Sequence, residues 1–280
     1  MDKDKRCEKM ACTVKTFSSE WAAREYLSTL DAQVVEEAEL LADYWSREPW
    51  PYYPQKSYKK EYEELMDLHH FTGTDEPVGK LVSPKYFLLQ HIYELGNGDL
   101  ILHGVCQREI RVIGSDEEHV ITFRRIIDLY NEYLMSVRAH FLLRISKEGQ
   151  VKWLRGISAF EPASDGSYVL HVSQAGEVTM VGASYDNPVR LGVGSSTERI
   201  FPGGGMSYFA VRFTADGEVA WCGEIGRGWV GFHALTTTQD NRVFLLGQGR
   251  NDTQFYLDEG KYEVYYGRWF VSEFAFPVLH

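Results

Sequence analysis

One residue pattern occurs three times between residues 84 and 280, and it constrains the fold more than any other feature. Each copy begins with an extended apolar run, which a short turn connects to a second run that ends in glycine. The second runs read GDLILHG, GEVTMVG and NRVFLLG, and they end at Gly104, Gly182 and Gly247. Two extended runs joined by a short turn are typical of a β-hairpin. Each copy therefore predicts one hairpin.

The second half of the pattern predicts another hairpin. FLLRISKEGQVKW and FAVRFTADGEVAW match without gaps, from Phe141 to Trp153 and from Phe209 to Trp221. FVSEFAF begins a third copy at Phe270. The EG and DG pairs are favoured hairpin-turn residues, and each tryptophan is expected to be a largely buried anchor of the returning strand.

The full unit is therefore four strands with an insert of variable length between the second and third strands. The three units cover about residues 84–158, 166–226 and 230–280. Consecutive four-stranded antiparallel units are typical of propeller blades. Such a unit cannot bury both of its faces alone, so neighbouring units must stack.

This repeat resembles the bacterial β-propeller repeats of the SBBP type, and its DG turn and final tryptophan also resemble quinoprotein-like blades. The resemblance covers about residues 84–276. It implies a mainly β, β-propeller-like array of four-stranded antiparallel blades.

The first 80 residues differ, because they contain only two glycines and 28 charged residues. Apolar residues recur there at helical spacing, and Ser18 or Ser19 can cap a helix that ends before Pro49. A second helix is predicted from Ser57 to His69. We therefore expect a helical N-terminal extension over residues 1–80, either as a cap on the repeat domain or as a partner-binding arm. The apolar positions of the first helix are Trp21, Leu27, Leu30, Val34, Ala38, Leu41 and Trp45.

The third unit lacks a returning strand, which would leave the aromatic run Phe270–Phe276 as an unpaired edge. The strand-like segment Ala11–Phe17 could pair with this edge within the chain. A second copy could instead pair edge to edge through an isologous interface. Because three units do not easily close a ring, we favour self-association as a homodimer.

Charge and composition exclude several classes of partner and location. The net charge is −11, which argues against nucleic acid and anionic membranes as partners. Runs of about 18 apolar residues are absent from the sequence, so we expect no membrane insertion. The first residues lack the apolar core of a signal peptide. The four cysteines form no CxxC motif, so we expect reduced thiols and a cytoplasmic location.

Histidine placement gives the one metal hypothesis. His91, His171 and His233 each fall in the first strand of a unit, where three imidazoles could converge on a central axis. The alternative is that they are ordinary half-buried strand residues. The insert segment Val120–Leu134 predicts a short helix, which either covers a blade edge or binds a partner.

The motifs indicate no catalytic set and no cofactor. The GGG run at 203–205 is not followed by GK[ST], GVGSS is not a nucleophile elbow, and the acidic residues fall mostly in turns. We therefore predict a non-enzymatic scaffold that binds a protein partner or itself. The alternative is an enzyme that acts on a glycan or small molecule from loops at one propeller face. Carboxylates with shifted pKa values in a funnel would favour the enzyme, and an exposed aromatic face would favour the binder.

Overall fold

A computed structural model describes part of the chain, and the architecture below refers to that part. The described residues are 8–9, 13–29, 64–67, 79–83, 87–107, 109–114, 117–123, 138–158, 168–185, 188–202, 205–238, 242–249, 253–257 and 260–276. They form 21 strands and one helix. The described helix is too short to cross a membrane.

The elements follow one another along the chain in this order: β1 (Glu8–Lys9), β2 (Thr13–Phe17), α1 (Glu20–Ser28), β3 (Glu64–Asp67), β4 (Gly79–Ser83), β5 (Phe87–Glu94), β6 (Leu100–Gln107), β7 (Glu109–Gly114), β8 (Glu118–Thr122), β9 (Arg138–Ile145), β10 (Val151–Ser158), β11 (Tyr168–Val172), β12 (Val178–Tyr185), β13 (Val189–Val193), β14 (Arg199–Phe201), β15 (Met206–Phe213), β16 (Val219–Arg227), β17 (Val230–Thr237), β18 (Arg242–Gly249), β19 (Thr253–Leu257), β20 (Gly260–Val264) and β21 (Trp269–Ala275).

The repeated pattern forms antiparallel sheets, as the sequence predicts. Unit one consists of β5, β6, β9 and β10, and unit two of β11, β12, β15 and β16, with the strands adjacent in chain order. Unit three contains β17, β18 and β21 in the same order. The mainly β fold class and the antiparallel four-stranded units are therefore confirmed, whereas their arrangement as propeller blades stays a prediction.

The insert of each unit forms a hairpin that joins the sheet before it. The hairpins are β7–β8, β13–β14 and β19–β20, and they lie between the second and third strands of units one, two and three. β13 pairs with β10 of unit one, and β19 pairs with β16 of unit two. β7 likewise pairs with β4, which belongs to the four-stranded sheet β3-β4-β7-β8. Each insert hairpin therefore extends the sheet that precedes its unit.

The N-terminal segment supplies the fourth strand of unit three. β2 pairs antiparallel with β21, from Thr13 opposite Glu273 to Phe17 opposite Trp269. This is the pairing within the chain that the sequence offers for Ala11–Phe17, and it covers the edge of β21. The edge of β21 is therefore paired within the chain, whereas the homodimer, which was favoured from ring closure, stays a prediction.

The N-terminal region is less helical than the sequence suggests. α1 begins after Ser19, whose Oγ accepts a hydrogen bond from the Ala22 amide, and this confirms the predicted cap. The predicted helix at 57–69 is wrong at β3, because Glu64–Asp67 pairs with Lys80–Ser83 of β4. A cross-strand ladder there satisfies the backbone groups and overrides a weak helical periodicity.

Two predicted helical segments extend beyond the described residues. The first helix is confirmed from Glu20 to Ser28, and its remaining positions from Leu30 to Trp45 lie outside the described part. The insert helix predicted at 120–134 is wrong at its start, because β8 extends to Thr122 and pairs with β7. Residues 124–134 of that segment also lie outside the described part.

Glycine and phenylalanine anchors hold the same register in every unit. All three phenylalanines are buried, and each lies opposite the glycine that ends the second strand. A Cβ atom added at Gly182 would lie 2.7 Å from the Phe209 ring, and one at Gly247 would lie 2.5 Å from the Phe270 ring. The missing side chain therefore makes room for the ring of the opposite residue. The pairs are Gly104–Phe141, Gly182–Phe209 and Gly247–Phe270.

The two tryptophan anchors are equivalent in register but unequal in burial. Trp153 lies opposite Arg144, and Trp221 lies opposite Arg212. The expectation of a largely buried anchor is confirmed for Trp153, whereas Trp221 is only partly buried. The turn of unit two covers Trp153, whereas Trp221 packs against a core cluster that includes Phe276, with the two ring centroids 5.0 Å apart.

Candidate functional site

An arginine–carboxylate pair recurs at one position of all three units. Arg144 contacts Asp99 at 2.7 Å in unit one, and Arg212 contacts Glu177 at 2.7 Å in unit two. Hydrogen bonds from Arg144 and Asn97 outweigh the opposing effect of burial and lower the pKa of Asp99. These carboxylates are therefore bound to side chains of their own unit.

Unit three carries the same pair with the charges exchanged. Arg242 occupies the position of Asp99 and Glu177, and Glu273 occupies the position of the arginines. The two side chains form an ion pair at 3.5 Å between Arg242 Nη1 and Glu273 Oε1. The repeat thus preserves a charge pair rather than particular residues.

Unit one binds the turn of unit two, residues 214–218, and we call this contact the unit one–unit two junction. Arg144 Nη1 and Trp153 Nε1 both donate to the Ala215 carbonyl, at 2.9 Å and 2.8 Å. Arg155 Nε donates to the Gly217 carbonyl at 2.8 Å. The turn carbonyls are therefore satisfied by side chains of the neighbouring unit.

Glu218 completes this junction. Its carboxylate contacts Arg155 at 3.1 Å and accepts hydrogen bonds from Ser196 Oγ at 2.8 Å and from the amide and hydroxyl of Thr197. Burial alone would raise the pKa of Glu218, but these hydrogen bonds outweigh it and lower the pKa. The group is therefore held ionised in a structural role.

A buried carboxylate joins unit two to the insert of unit three. Glu224 Oε1 accepts hydrogen bonds from Ser207 Oγ at 3.0 Å, Tyr256 OH at 3.0 Å and Arg227 Nε at 2.8 Å. Burial and the nearby Glu224 charge raise the pKa of Tyr256 to about 12. Tyr256 therefore stays a neutral donor, and the cluster fixes β19 against β16.

Exposed aromatic side chains lie on two turns at one end of unit three. Tyr265 and Tyr266 are 75% and 77% exposed in the turn between β20 and β21. Trp229 is 42% exposed between β16 and β17. We call these three residues the aromatic end.

The backbone places the two turns of the aromatic end side by side. Gly249 lies opposite Val230, the residue after Trp229. The Gly249 amide donates to the Arg268 carbonyl at 2.8 Å, and its carbonyl accepts from the Gly267 amide at 2.8 Å. Thr253 Oγ1 also donates to the Trp229 carbonyl. The turns are thus fixed by hydrogen bonds, while the side chains of Tyr265 and Tyr266 are largely exposed and that of Trp229 is partly exposed.

The three histidines of the metal hypothesis are not gathered. His91 lies on β5 and stacks on His103 at a centroid distance of 5.6 Å. His233 lies on β17 against Trp269 at 4.6 Å, and His171 lies on β11. Within the described residues, no group of three or more His, Cys, Asp or Glu could hold a metal ion.

A different histidine cluster, which the sequence patterns do not predict, lies where unit one meets unit two. His103 Nε2 and His140 Nδ1 are 3.2 Å apart, and both side chains are buried. Tyr168 of unit two lies edge-on against His140 at 4.3 Å, and its hydroxyl donates to Gln90. His103 interrupts the apolar run LILHG, and that was the only signal available in the sequence.

Burial decides the charge state of this cluster. It lowers the pKa of His140 to about 4. It also lowers the pKa of His103 well below the ordinary value, and the neighbouring His140 and His91 lower it further. Both imidazoles are therefore neutral near pH 7 and pack as aromatic side chains.

The cysteines differ from the expectation of reduced thiols. Cys106 is free and buried, and burial raises its pKa to about 12. Cys222, in contrast, takes part in a disulfide, so the expectation is wrong there. The spacing of the cysteines therefore does not predict the bonded state of Cys222.

The functional assignment of this chain rests on the geometry of the site. The chain matches no protein-family model and no curated protein. The described features divide into two kinds: titratable groups bound within and between units, and aromatic groups open to solvent at the aromatic end.

Proposed function

We propose that this chain is a non-enzymatic scaffold that binds a protein partner through its aromatic end. The main observation behind this proposal is the exposure of Trp229, Tyr265 and Tyr266 on adjacent turns. Tyrosine and tryptophan are enriched at protein interfaces and dominate their hot spots, because they bury a large area and offer a polar atom. Solvent-facing aromatic clusters often indicate an interaction surface.

The rigidity of the two turns supports the same proposal. The hydrogen bonds of Gly249 and Thr253 hold the backbone on both sides of the aromatic end. A surface whose backbone is already fixed loses less conformational entropy when it binds. The aromatic side chains themselves have few rotatable bonds, which lowers that cost further.

The described acidic groups favour the binder over an enzyme acting on a glycan or small molecule. Asp99 and Glu218 have lowered pKa values, but both are engaged by arginines. General acid catalysis would require a carboxyl group with a raised pKa, close to a second carboxylate. The described residues with shifted pKa values do not supply that pair.

The scaffold of the proposal is a β-propeller-like array. This part of the proposal is supported by the consecutive antiparallel units, in each of which the glycine that ends the second strand lies opposite a phenylalanine of the third strand. Neighbouring units also contact each other, since Thr237 Oγ1 of β17 lies 3.4 Å from Thr179 Oγ1 of β12. Self-association through the aromatic end is one form that the partner could take.

Site-specific photo-crosslinking in cells that naturally express this protein tests the proposal. A photoreactive phenylalanine analogue at Tyr266 should give discrete crosslinked species, to another protein or to a second copy. The same analogue at Trp21, which is 71% exposed on α1, is the matched control. Mass spectrometry identifies the partner, and Trp229→Ser with Tyr265→Ser should weaken its binding at least about tenfold. Crosslinking at Tyr266 no greater than at Trp21 would overturn the proposal.

A further inference from the structure

The two turns of the aromatic end share one short residue pattern. The first reads RGW at 227–229, where β16 ends, and the second reads YGR at 266–268, just before β21. Each turn therefore places an arginine and an aromatic residue on either side of one glycine. Both glycines have a positive φ, 104° at Gly228 and 75° at Gly267, which other residues rarely adopt. Each arginine Cα thus lies within about 7 Å of the Cα of its aromatic neighbour.

The backbone of both arginines is fixed by hydrogen bonds. The Arg268 amide donates to the Tyr265 carbonyl at 3.1 Å, which closes the second turn. Arg227 ends β16 and pairs there with Gln254 of β19. The arginines therefore stand on the same ordered backbone as the aromatic rings, and a partner would not have to order that backbone when it binds.

A buried carboxylate orients the side chain of Arg227. Its Nε donates to Glu224 Oε1 at 2.8 Å. The Arg227 side chain is 45% exposed, whereas that of Glu224 is only 10% exposed. The anion of this pair is therefore buried and the cation reaches the surface. A guanidinium has five N–H donors in a planar fork, so Arg227 can bind a second carboxylate while it keeps the bond to Glu224.

The exposed charges of the two turns, within the part of the chain that the structure describes, are positive. Arg227 and Arg268 are both exposed. On the neighbouring β20, Lys261 and Glu263 are also exposed and offset each other in charge. Glu263 in addition accepts a hydrogen bond from Gln254 Nε2 at 3.2 Å. Because the whole chain has a net charge of −11, its overall field repels an anionic partner, whereas these two arginines attract one.

We propose, building on the proposed function, that the aromatic end binds a segment of its partner that is rich in Asp and Glu. The carboxylates of that segment contact Arg227 and Arg268, and its apolar atoms pack on the rings of Trp229, Tyr265 and Tyr266. Arginine binds carboxylates in a bidentate geometry, and it is enriched in interface hot spots together with tyrosine and tryptophan. The arginines thus select the charge of the partner, and the rings supply the contact area.

Selection from a random peptide library tests the chemistry of the partner, with the purified full chain as the bait. The enriched peptides should contain more Asp and Glu than the unselected library. Synthetic copies of them should bind at least about tenfold more weakly when NaCl is raised from about 0.05 M to about 0.5 M, because salt screens exposed charge pairs. Enrichment of neutral or basic peptides, or no enrichment, would overturn the proposal.

Charge reversal at one turn tests the role of the arginines. Arg268→Glu changes an exposed side chain and should weaken binding of the selected peptides at least about tenfold. Lys152→Glu, at an exposed position of β10 in unit one, makes the same change in net charge and is the matched control. Arg227→Gln is the second variant, because the amide can still donate to Glu224. Equal binding by Arg268→Glu and Lys152→Glu would overturn the proposal.

The same peptides separate failure of this proposal from failure of the proposed function. Trp229→Ser with Tyr265→Ser removes two rings and keeps both arginines. Binding lost in this ring variant but kept in Arg268→Glu would overturn the acidic segment and leave the aromatic end as the binding surface. Binding lost in Arg268→Glu but kept in the ring variant would overturn the proposed function and leave the arginines as the acid-binding groups. Binding kept in both variants would overturn both.

Discussion

Two turns of the molecule share one backbone feature and differ in what covers them. Gly217 in the turn of unit two and Gly267 in the turn after β20 both have a φ of 75°. A Cβ added at Gly217 would lie 2.7 Å from the Trp153 ring, whereas one added at Gly267 would meet nothing within 4 Å. Similar local chemistry therefore serves two purposes: one turn joins units, and the other presents Tyr265 and Tyr266 to solvent.

The comparison teaches that turn geometry alone does not identify a binding surface. The unit two turn is bound by three side chains of unit one, through its own carbonyls. The turn after β20 is fixed by backbone contacts to Gly249, which leave its side chains uncovered. Coverage by a neighbouring unit is thus what separates a structural turn from one available to a partner.

The largest expected effect is at the tryptophan of the junction. Trp153→Ala should lower the free energy of unfolding by about 4 kcal/mol, because it removes a buried ring and its hydrogen bond to Ala215. Trp221→Ala should cost about 2 kcal/mol, because that ring is only half-buried. Urea denaturation of the two variants measures the difference. Equal losses would contradict the unequal coverage of the two units.

The glycines of the two turns give the next effect. Gly217→Ala should cost about 3 kcal/mol, because it combines a left-handed conformation with a clash against Trp153. Gly267→Ala carries only the conformational penalty and should cost about 1 kcal/mol. Thermal unfolding of both variants checks this ordering, and a larger loss at Gly267 would show that its turn is the covered one.

Acid should weaken the contact between units one and two. Burial lowers the pKa of His140 to about 4 from an ordinary value of 6.5, so the unfolded chain binds more protons between these values. Stability is therefore full above about pH 6.5 and falls as the pH drops towards 4, by roughly 2–3 kcal/mol for this group. Denaturant titrations from pH 7 to 4 measure how the free energy of unfolding changes with pH. His140→Asn should make this change smaller, and an unchanged pH dependence would assign the acid sensitivity to other groups.

The exchanged charge pair of unit three gives the smallest effect. Arg242 and Glu273 are each more than one-third exposed, so either Arg242→Glu or Glu273→Arg should cost about 1 kcal/mol or less. The double variant restores the polarity of units one and two and should recover most of that loss. A double-mutant cycle measures the coupling, and additive losses would show that the pair is not an interacting unit.

The sequence predicts those parts of the fold that rest on local signals repeated in each unit. The hairpin turns, the Gly–Phe pairs and the first turns of α1 depend on residues close in sequence. The pairing of β13 with β10 and of β19 with β16 joins different units, and the inserts share no repeated motif. Helical periodicity also misassigned β3, where pairing with β4 determines the conformation.

The candidate site was harder to predict, because exposure and long-range contacts define it. Tyr265 and Tyr266 precede a glycine as many turn residues do, and only the surrounding structure shows that no neighbouring unit among the described residues covers them. His103 and His140 are 37 residues apart in sequence and meet across β6 and β9. Of the predicted set, His91 stacks on His103 of this cluster.

Hydroxyl-radical footprinting of the full chain tests the central claim most directly, with purified protein compared with native extract. In purified protein, Tyr266 and Trp229 should be oxidised rapidly and Trp153 slowly. In extract, oxidation of Tyr265 and Tyr266 should fall relative to Trp21, because a partner covers the aromatic end. Rapid oxidation of Trp153 in purified protein would contradict the covered junction. Unchanged oxidation of Tyr265 and Tyr266 in extract would contradict the binding role of the exposed turn.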